Sequence, residues 1–143
     1  MADNKNLMKK RTLMILQLLY ETTDEAHPLT TKEMLEYLEK EGIPTNRKTL
    51  KSDLDILVES GMDIVKVVSK PNKYFWGNRY FELPELKLLI DAVSSSRFIT
   101  AKKSRKLGKK ITELASINQQ KELIRHVYAT NRIKNTNEEI YYT

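Results

Sequence analysis

Polar and cationic side chains cluster at the start of one segment, 46–60. Leu50, Leu54 and Leu57 recur there at helical spacing, so we predict a helix with one apolar face. The side chains that fall off this face in the first two turns are Asn46, Arg47, Lys48, Thr49, Lys51 and Ser52. Cations bind phosphate, and amides and hydroxyls bind phosphate or base edges. The pattern favours a helix that contacts double-stranded DNA from its N-terminal end, although solvated surface helices also carry such charges.

The residues before this segment predict the element that holds it in place. Thr30 and Glu33 have the spacing of a capping box, which starts a helix. Gly42 can take the left-handed backbone conformation that ends that helix, and Asn46 is the expected N-terminal cap of the next one. Two short helices joined by a tight turn with glycine are typical of a helix-turn-helix motif, although other helical hairpins share the pattern. The helices predicted in this half of the chain are 7–22, 30–41 and 46–60.

A β-hairpin is predicted directly after the third helix. Residues 64–81 contain two runs rich in β-branched and aromatic side chains, separated by turn residues at 70–73. A hairpin in this position is a wing, and the tip of a wing commonly contacts phosphate or the minor groove. The alternative to a DNA-contacting wing is a hairpin whose charged tip only increases solubility. The predicted DNA contacts of the wing are Lys70, Lys73 and Tyr74, with Lys66 as a further one.

The net charge of +6 is unevenly distributed along the chain. Residues 1–83 carry 13 basic and 13 acidic side chains, whereas residues 84–143 carry 12 basic and 6 acidic ones, so the whole excess lies in the second half. The overall charge therefore does not by itself predict nucleic-acid binding, which depends on where cations lie within 1–83. We assign DNA binding to a domain at 1–83, and a helical linker with a dimerisation role to 84–143.

The second half is predicted to begin with an unusually apolar helix. Apolar residues occur nearly all round the helix at 84–95, and a single small neighbour does not cover such a surface. A second copy of the chain is the natural partner, so we predict a homodimer through 84–118. The following helix, at about 100–116, overlaps a basic run at 97–110 that contains no acidic residue. This run is either a solvated face or a second surface that contacts phosphate.

The C-terminal residues predict a change of structure. A strand is expected at 126–133, where β-branched and aromatic residues recur. Residues 137–142 then have the pattern of a helix start with acidic side chains in its first turn. Because the sequence stops about one turn later, we expect a fragment of a longer protein.

Catalytic and metal-binding patterns are missing from the sequence. It contains no cysteine, and His27 and His126 are far apart with no spacing typical of a metal site. The four glycines form no phosphate-binding loop. We therefore predict no enzyme, no metal, no cofactor and no small-molecule ligand in this stretch. No apolar run is long enough to span a bilayer, which together with the lack of cysteine favours a soluble cytoplasmic protein.

Two stretches of this chain, GIPTNRKTLKSDLDILVESGMDI and RYFELPELKLLIDAVSSSRFITAKKS, resemble the WYL-domain transcriptional regulators of bacteria, most specifically at Phe81–Val93. The resemblance covers nearly the whole chain. It implies a winged helix-turn-helix, a helical linker and a WYL sensor domain that would follow Thr143. It also implies a homodimeric regulator that binds specific DNA sequences. Ser52 departs from the family pattern, which more often has arginine there. The resemblance places Arg47, Lys48, Thr49 and Lys51 towards the major groove.

These observations together predict a mainly α protein with a small β-hairpin, in which a winged helix-turn-helix is followed by a helical linker. The predicted function is a sequence-specific regulator of transcription that binds double-stranded DNA. Its helix at 46–60 would enter the major groove, and its wing at 64–81 would contact the backbone or minor groove. The alternatives are a winged-helix protein–protein interaction module without DNA binding and a fragment of a nucleic-acid-processing enzyme. The cationic helix start and the lysines of the hairpin argue against the first, and the lack of clustered ligands argues against the second.

Overall fold

The computed structural model describes the backbone of residues 2–142 and the side chains of residues 5–131. The fold is mainly helical with a small antiparallel sheet, as predicted, and it divides into two compact units, Met1–Asn78 and Arg79–Thr143. The helices are α1 (Ala2–Thr22), α2 (Thr31–Lys40), α3 (Arg47–Glu59), α4 (Leu83–Ser95), α5 (Ala101–Thr112) and α6 (Ile117–Tyr142). The strands are β1 (Leu29–Thr30), β2 (Ile64–Val67) and β3 (Lys73–Trp76).

The first unit packs three helices and the sheet around one apolar core. Ile15 and Leu19 of α1 are fully buried with Leu38 of α2 and Leu50 of α3. Each helix contributes one apolar stripe, so burying these stripes against one another orients the three helices. Ile64 is buried with the same cluster and ties the hairpin to it.

The sheet has the strand order β1-β3-β2, with both neighbouring pairs antiparallel. The β2–β3 hairpin was predicted, but β3 ends at Trp76 and does not continue to residue 81. Asp63 explains the early end, because its main-chain carbonyl accepts from the Gly77 N–H at 2.8 Å and its carboxylate accepts from the Asn78 N–H at 2.7 Å. A side chain at Gly77 would meet that carboxylate at 2.6 Å, so the close approach requires glycine.

The second unit is a bundle of α4, α5 and α6. Its core is formed by Leu86 and Ile90 of α4 with Leu123 and Val127 of α6, all buried. Phe81 and Leu83 pack on the same core, which explains why the division into units lies before residue 83. The Glu82 and Glu85 side chains form the capping box that begins α4, with Pro84 at its start.

Two predictions for the second unit are wrong. The strand expected at 126–133 and the new helix expected at 137–142 are both part of the single helix α6. Leu123, Val127 and Asn131 are buried at a spacing of four residues, so packing on one helical face outweighs the local β-branched composition.

The face of α5 that packs inward carries mainly small side chains, namely Ala101, Ser104, Gly108 and Thr112. Ile111 packs on the core beside them, whereas Leu107 is 40% exposed. A Cβ atom on Gly108 would lie 3.1 Å from both methyl groups of Val127. Small side chains therefore allow α5 to approach α6 closely, and this contact decides which face is buried.

Candidate nucleic-acid interface

The N-terminal end of α3 presents the cations that the sequence singled out. The side-chain oxygen of Asn46 accepts from the Thr49 N–H at 2.9 Å and caps the helix. Arg47, Lys48 and Lys51 are exposed, as is Ser52. Thr49 is only half-exposed, because it lies beside the turn that Asn46 closes. The cap satisfies the Thr49 N–H, one of the N–H groups that have no partner within the helix, and the cations of this end remain exposed.

A buried ion pair seats α3 against α1. Arg11 donates from its Nε to one carboxylate oxygen of Asp53 at 2.5 Å and from a terminal nitrogen to the other at 3.3 Å. The two side chains are only 11% and 7% exposed. Two parallel bonds from a planar guanidinium fix orientation as well as distance. The pair therefore sets the rotation of α3, and with it the direction in which Lys51 points.

The pairing of β1 with β3 holds the hairpin next to α2. β1 pairs with β3, with Leu29 opposite Tyr74 and Thr30 opposite Lys73. The carbonyl of Asn72, at the hairpin tip, accepts from the Thr31 N–H at 3.1 Å and from the Thr31 hydroxyl at 3.3 Å. The tip is thus hydrogen-bonded to the first residue of α2.

The tip is also closed on itself. The side-chain oxygen of Asn72 accepts from the Ser69 N–H at 3.1 Å, and the Ser69 hydroxyl donates to the Pro71 carbonyl at 2.6 Å. These local bonds give the tip a single ordered turn. They keep Lys70, which lies inside that turn, on the surface.

A cleft of about 510 Å³ lies between α3, the hairpin and the start of α2. The residues described around it include no carboxylate, so its walls have one sign of charge. Positive charges on facing walls of a cleft repel one another, and together they attract an anion. The cleft therefore has the electrostatics of an anion-binding site. Its cationic residues are Lys32, Arg47, Lys51, Lys66 and Lys70.

The sign of charge changes along α3. A neighbouring depression of about 400 Å³ extends towards the C-terminal half of the helix and is lined by Asp55 and Glu59. Lys51 and Lys66 lie on both depressions. An anion is therefore attracted to the N-terminal half of α3 and repelled from its C-terminal half.

The structure brings together only some of the predicted contact residues. Four of the predicted cations, Arg47, Lys51, Lys66 and Lys70, line the cleft, and so does Tyr74. The other predicted residues are exposed or half-exposed and do not line it; they are Asn46, Lys48, Thr49, Ser52 and Lys73. Lys32 lines the cleft and was not predicted. No local pattern marks it, because its position depends on the pairing of β1 with a strand more than forty residues later.

Tyr74 requires a correction. Its side chain is 8% exposed and belongs to the core of the first unit, so it packs and does not project as a surface contact. Burial raises the pKa of its hydroxyl, and the nearby charge of Asp55 raises that pKa further. Strand alternation explains the burial, because Lys73 and Tyr74 must point to opposite faces and Lys73 is exposed.

The described part of the chain contains neither a cluster of metal-binding side chains nor a helix able to span a membrane. No three side chains of the types that hold metals come together there. No helix described there combines the length and the apolar content needed to cross a membrane. No protein family, curated protein or solved structure matches this chain.

Proposed function

We propose that this protein is a regulator of transcription that binds double-stranded DNA through a winged helix-turn-helix in residues 1–78. The observation that supports it best is the cleft between α3 and the hairpin, in which three elements supply cations and no carboxylate is among the described lining residues. The element order α1, β1, α2, α3, β2, β3 agrees with this assignment. The resemblance to WYL-domain regulators gives the same function, and we propose that the protein acts in the cytoplasm.

In this proposal α3 enters the major groove with its N-terminal end towards the bases. Arg47 and Lys51 neutralise phosphates or bind guanine, since their charges lie at the end that is free of acidic side chains. Lys70 contacts the backbone from the hairpin tip. The side-chain oxygen of Asn46 caps the helix, and its amide NH₂ group is left to donate to DNA. Each neutralised phosphate releases counter-ions, so binding weakens steeply with salt.

We expect the Lys70→Gln variant to bind every duplex more weakly and to lower the slope of log affinity against log salt by about one unit. The physical reason is that one phosphate contact is lost without a change at the base edges. Fluorescence anisotropy with labelled duplexes between about 50 and 200 mM salt measures both quantities. Lys40→Gln, an exposed lysine at the end of α2 that does not line the cleft, is the matched control. An unchanged slope for Lys70→Gln would remove the hairpin from the interface.

A homodimer through 84–118 completes the proposal. One DNA-binding module covers about 600–1,000 Å² of protein surface, which is modest for specificity, so two half-sites are expected. Leu88 is 69% exposed on α4, and Leu89 and Ala92 are exposed on the same helix. Phe98, just after this helix, is 93% exposed. Such a set of apolar side chains is suited to a second copy of the chain.

The Leu88→Glu variant is expected to shift the protein to monomers at micromolar concentration. A charge placed within an apolar contact must be desolvated, whereas the exposed side chain contributes little to the fold of one chain. Sedimentation equilibrium measures the shift, and an unchanged melting curve shows that the fold is kept. Lys121→Glu, on the exposed side of α6, is the control. A wild-type chain that is already monomeric would rule out this interface.

A protein–protein module without DNA binding is the second candidate. Selection from a random duplex library separates the two, because a regulator enriches one motif, with two half-sites if it is a dimer. A scaffold enriches none. Recovery of no motif under low salt would exclude the proposed function.

A further inference from the structure

The helix α5 carries a concentration of positive charge that the proposed winged helix does not use. Between Asp91 and Glu113 the sequence contains no acidic residue. The basic residues in that interval are Arg97, Lys102, Lys103, Arg105, Lys106, Lys109 and Lys110. The excess charge of the whole chain lies in this half, and this interval holds most of its cations.

Packing turns these cations outward. The face of α5 with Ala101, Ser104, Gly108 and Thr112 is buried, and the close approach of Gly108 to Val127 leaves no room for a rotated helix. Lys102, Lys106 and Lys110 are exposed on the opposite side. They are spaced by four residues and so lie about 6 Å apart along the helix axis. The result is a row of ammonium groups on a rigid support.

These lysines have no partner of opposite charge among the side chains that the structure describes. Two polar contacts described in the second unit join Lys87 to Glu122 and His126 to Asp91, and neither involves Lys102, Lys106 or Lys110. Lys109 lies 5.3 Å from the centre of the Tyr128 ring, which engages it in a cation–π contact. Like charges four residues apart on a helix repel one another, so the row is stabilised when an external polyanion neutralises it.

We propose that the outer face of α5 is a second DNA-binding surface that contacts the phosphate backbone without sequence preference. The inference rests on the proposed function, which brings a duplex to this protein. A lipid surface fits less well, because a helix that lies on a membrane needs an apolar face to insert. The face of α5 opposite the lysines is already buried, and Leu107 is the main apolar side chain left on the exposed side.

Four proteins, each comprising all 143 residues, test this surface. The α5 variant is Lys102→Gln/Lys106→Gln/Lys110→Gln, and the cleft variant is Arg47→Gln/Lys51→Gln/Lys70→Gln. A charge-matched control is Lys9→Gln/Lys40→Gln/Lys121→Gln, whose three lysines are exposed, do not line the cleft and are not part of α5. The fourth is the wild type. Each is titrated with a duplex of random sequence at several salt concentrations, and also with vesicles that contain phosphatidylserine.

The α5 variant is expected to lower the slope of log affinity against log salt by about two to three units, since each phosphate contact contributes about 0.9. The control should change the slope by less than about one unit. The cleft variant should retain weak binding to the random duplex, because the α5 surface is intact. Melting curves should coincide with the wild type, since all the replaced lysines are exposed.

Equal slopes for the α5 variant and the control would overturn the inference. A cleft variant with no residual DNA binding would also overturn it, and the proposed function would stand. If the cleft variant binds DNA as the wild type does and the α5 variant does not bind, the inference is supported and the proposed function is removed. Loss of vesicle binding in the α5 variant with DNA binding unchanged would assign the surface to a membrane.

Discussion

Replacement of Lys51 and Lys70 together by glutamate is expected to lower affinity for double-stranded DNA by about 100-fold or more. The two lysines lie on different walls of the same cleft, one on α3 and one on the hairpin. Each change removes an attraction to phosphate and adds a repulsion. The two charge reversals therefore act on both walls of the cleft that would contact the duplex. Fluorescence anisotropy at about 0.1 M salt measures the loss.

This double variant should fold normally. Neither lysine forms an ion pair with the described side chains, and both are exposed, so their replacement leaves the core unchanged. Lys40→Glu/Lys121→Glu changes the net charge by the same amount away from the cleft and is the matched control. A similar loss in that control would show that only total charge matters. Retention of nearly full affinity by the cleft variant would contradict the proposed interface.

The Arg11→Met variant is expected to lose about 3–5 kcal/mol of unfolding free energy, because it leaves the Asp53 carboxylate buried without its partner. Removal of one member of a buried pair costs more than the pair contributes, since the remaining charge stays desolvated. Urea denaturation followed by circular dichroism measures the loss. Lys10→Met, the exposed neighbour on α1, should change stability by less than about 0.5 kcal/mol.

The double variant Arg11→Met/Asp53→Leu separates stability from positioning. Replacing both charges by apolar groups is often neutral or stabilising, so we expect most of the lost stability to return. The bidentate contact that fixes the rotation of α3 remains absent. DNA affinity should therefore stay below that of the wild type even after stability recovers. Full recovery of both properties would show that the pair has no positioning role.

Local hydrogen-bond chemistry made α2 and α3 predictable. The Thr30 hydroxyl accepts from the Glu33 N–H at 3.1 Å, and the Glu33 carboxylate accepts from the Thr30 N–H at 3.1 Å, as the capping box requires. Asn46 caps α3 in the same local way. Gly42 takes a φ of 82°, which is the left-handed exit expected of it. These contacts join residues within a few positions of one another, so sequence alone identifies them.

Features that depend on distant partners were missed. β1 has two residues, too few for any periodicity, and it exists through pairing with β3. The inward face of α5 is set by small residues that meet Val127, and the hydropathy of the sequence does not identify such residues. The same reason applies to the candidate site, where Lys32 is brought to the cleft by the sheet. Tyr74 was assigned to the surface by its position near the tip and lies in the core.

The hydrogen bonds from Thr31 to the carbonyl of Asn72 have a consequence for the thermodynamics of binding. Because the hairpin tip is anchored before a duplex arrives, its main chain is preorganised. A disordered tip would lose about 1–2 kcal/mol of backbone entropy for each residue ordered at that moment. Here the ordering has already occurred during folding, so formation of the proposed DNA complex would restrict mainly the flexible lysine side chains. Encounters then proceed without waiting for a loop to close, which favours fast association.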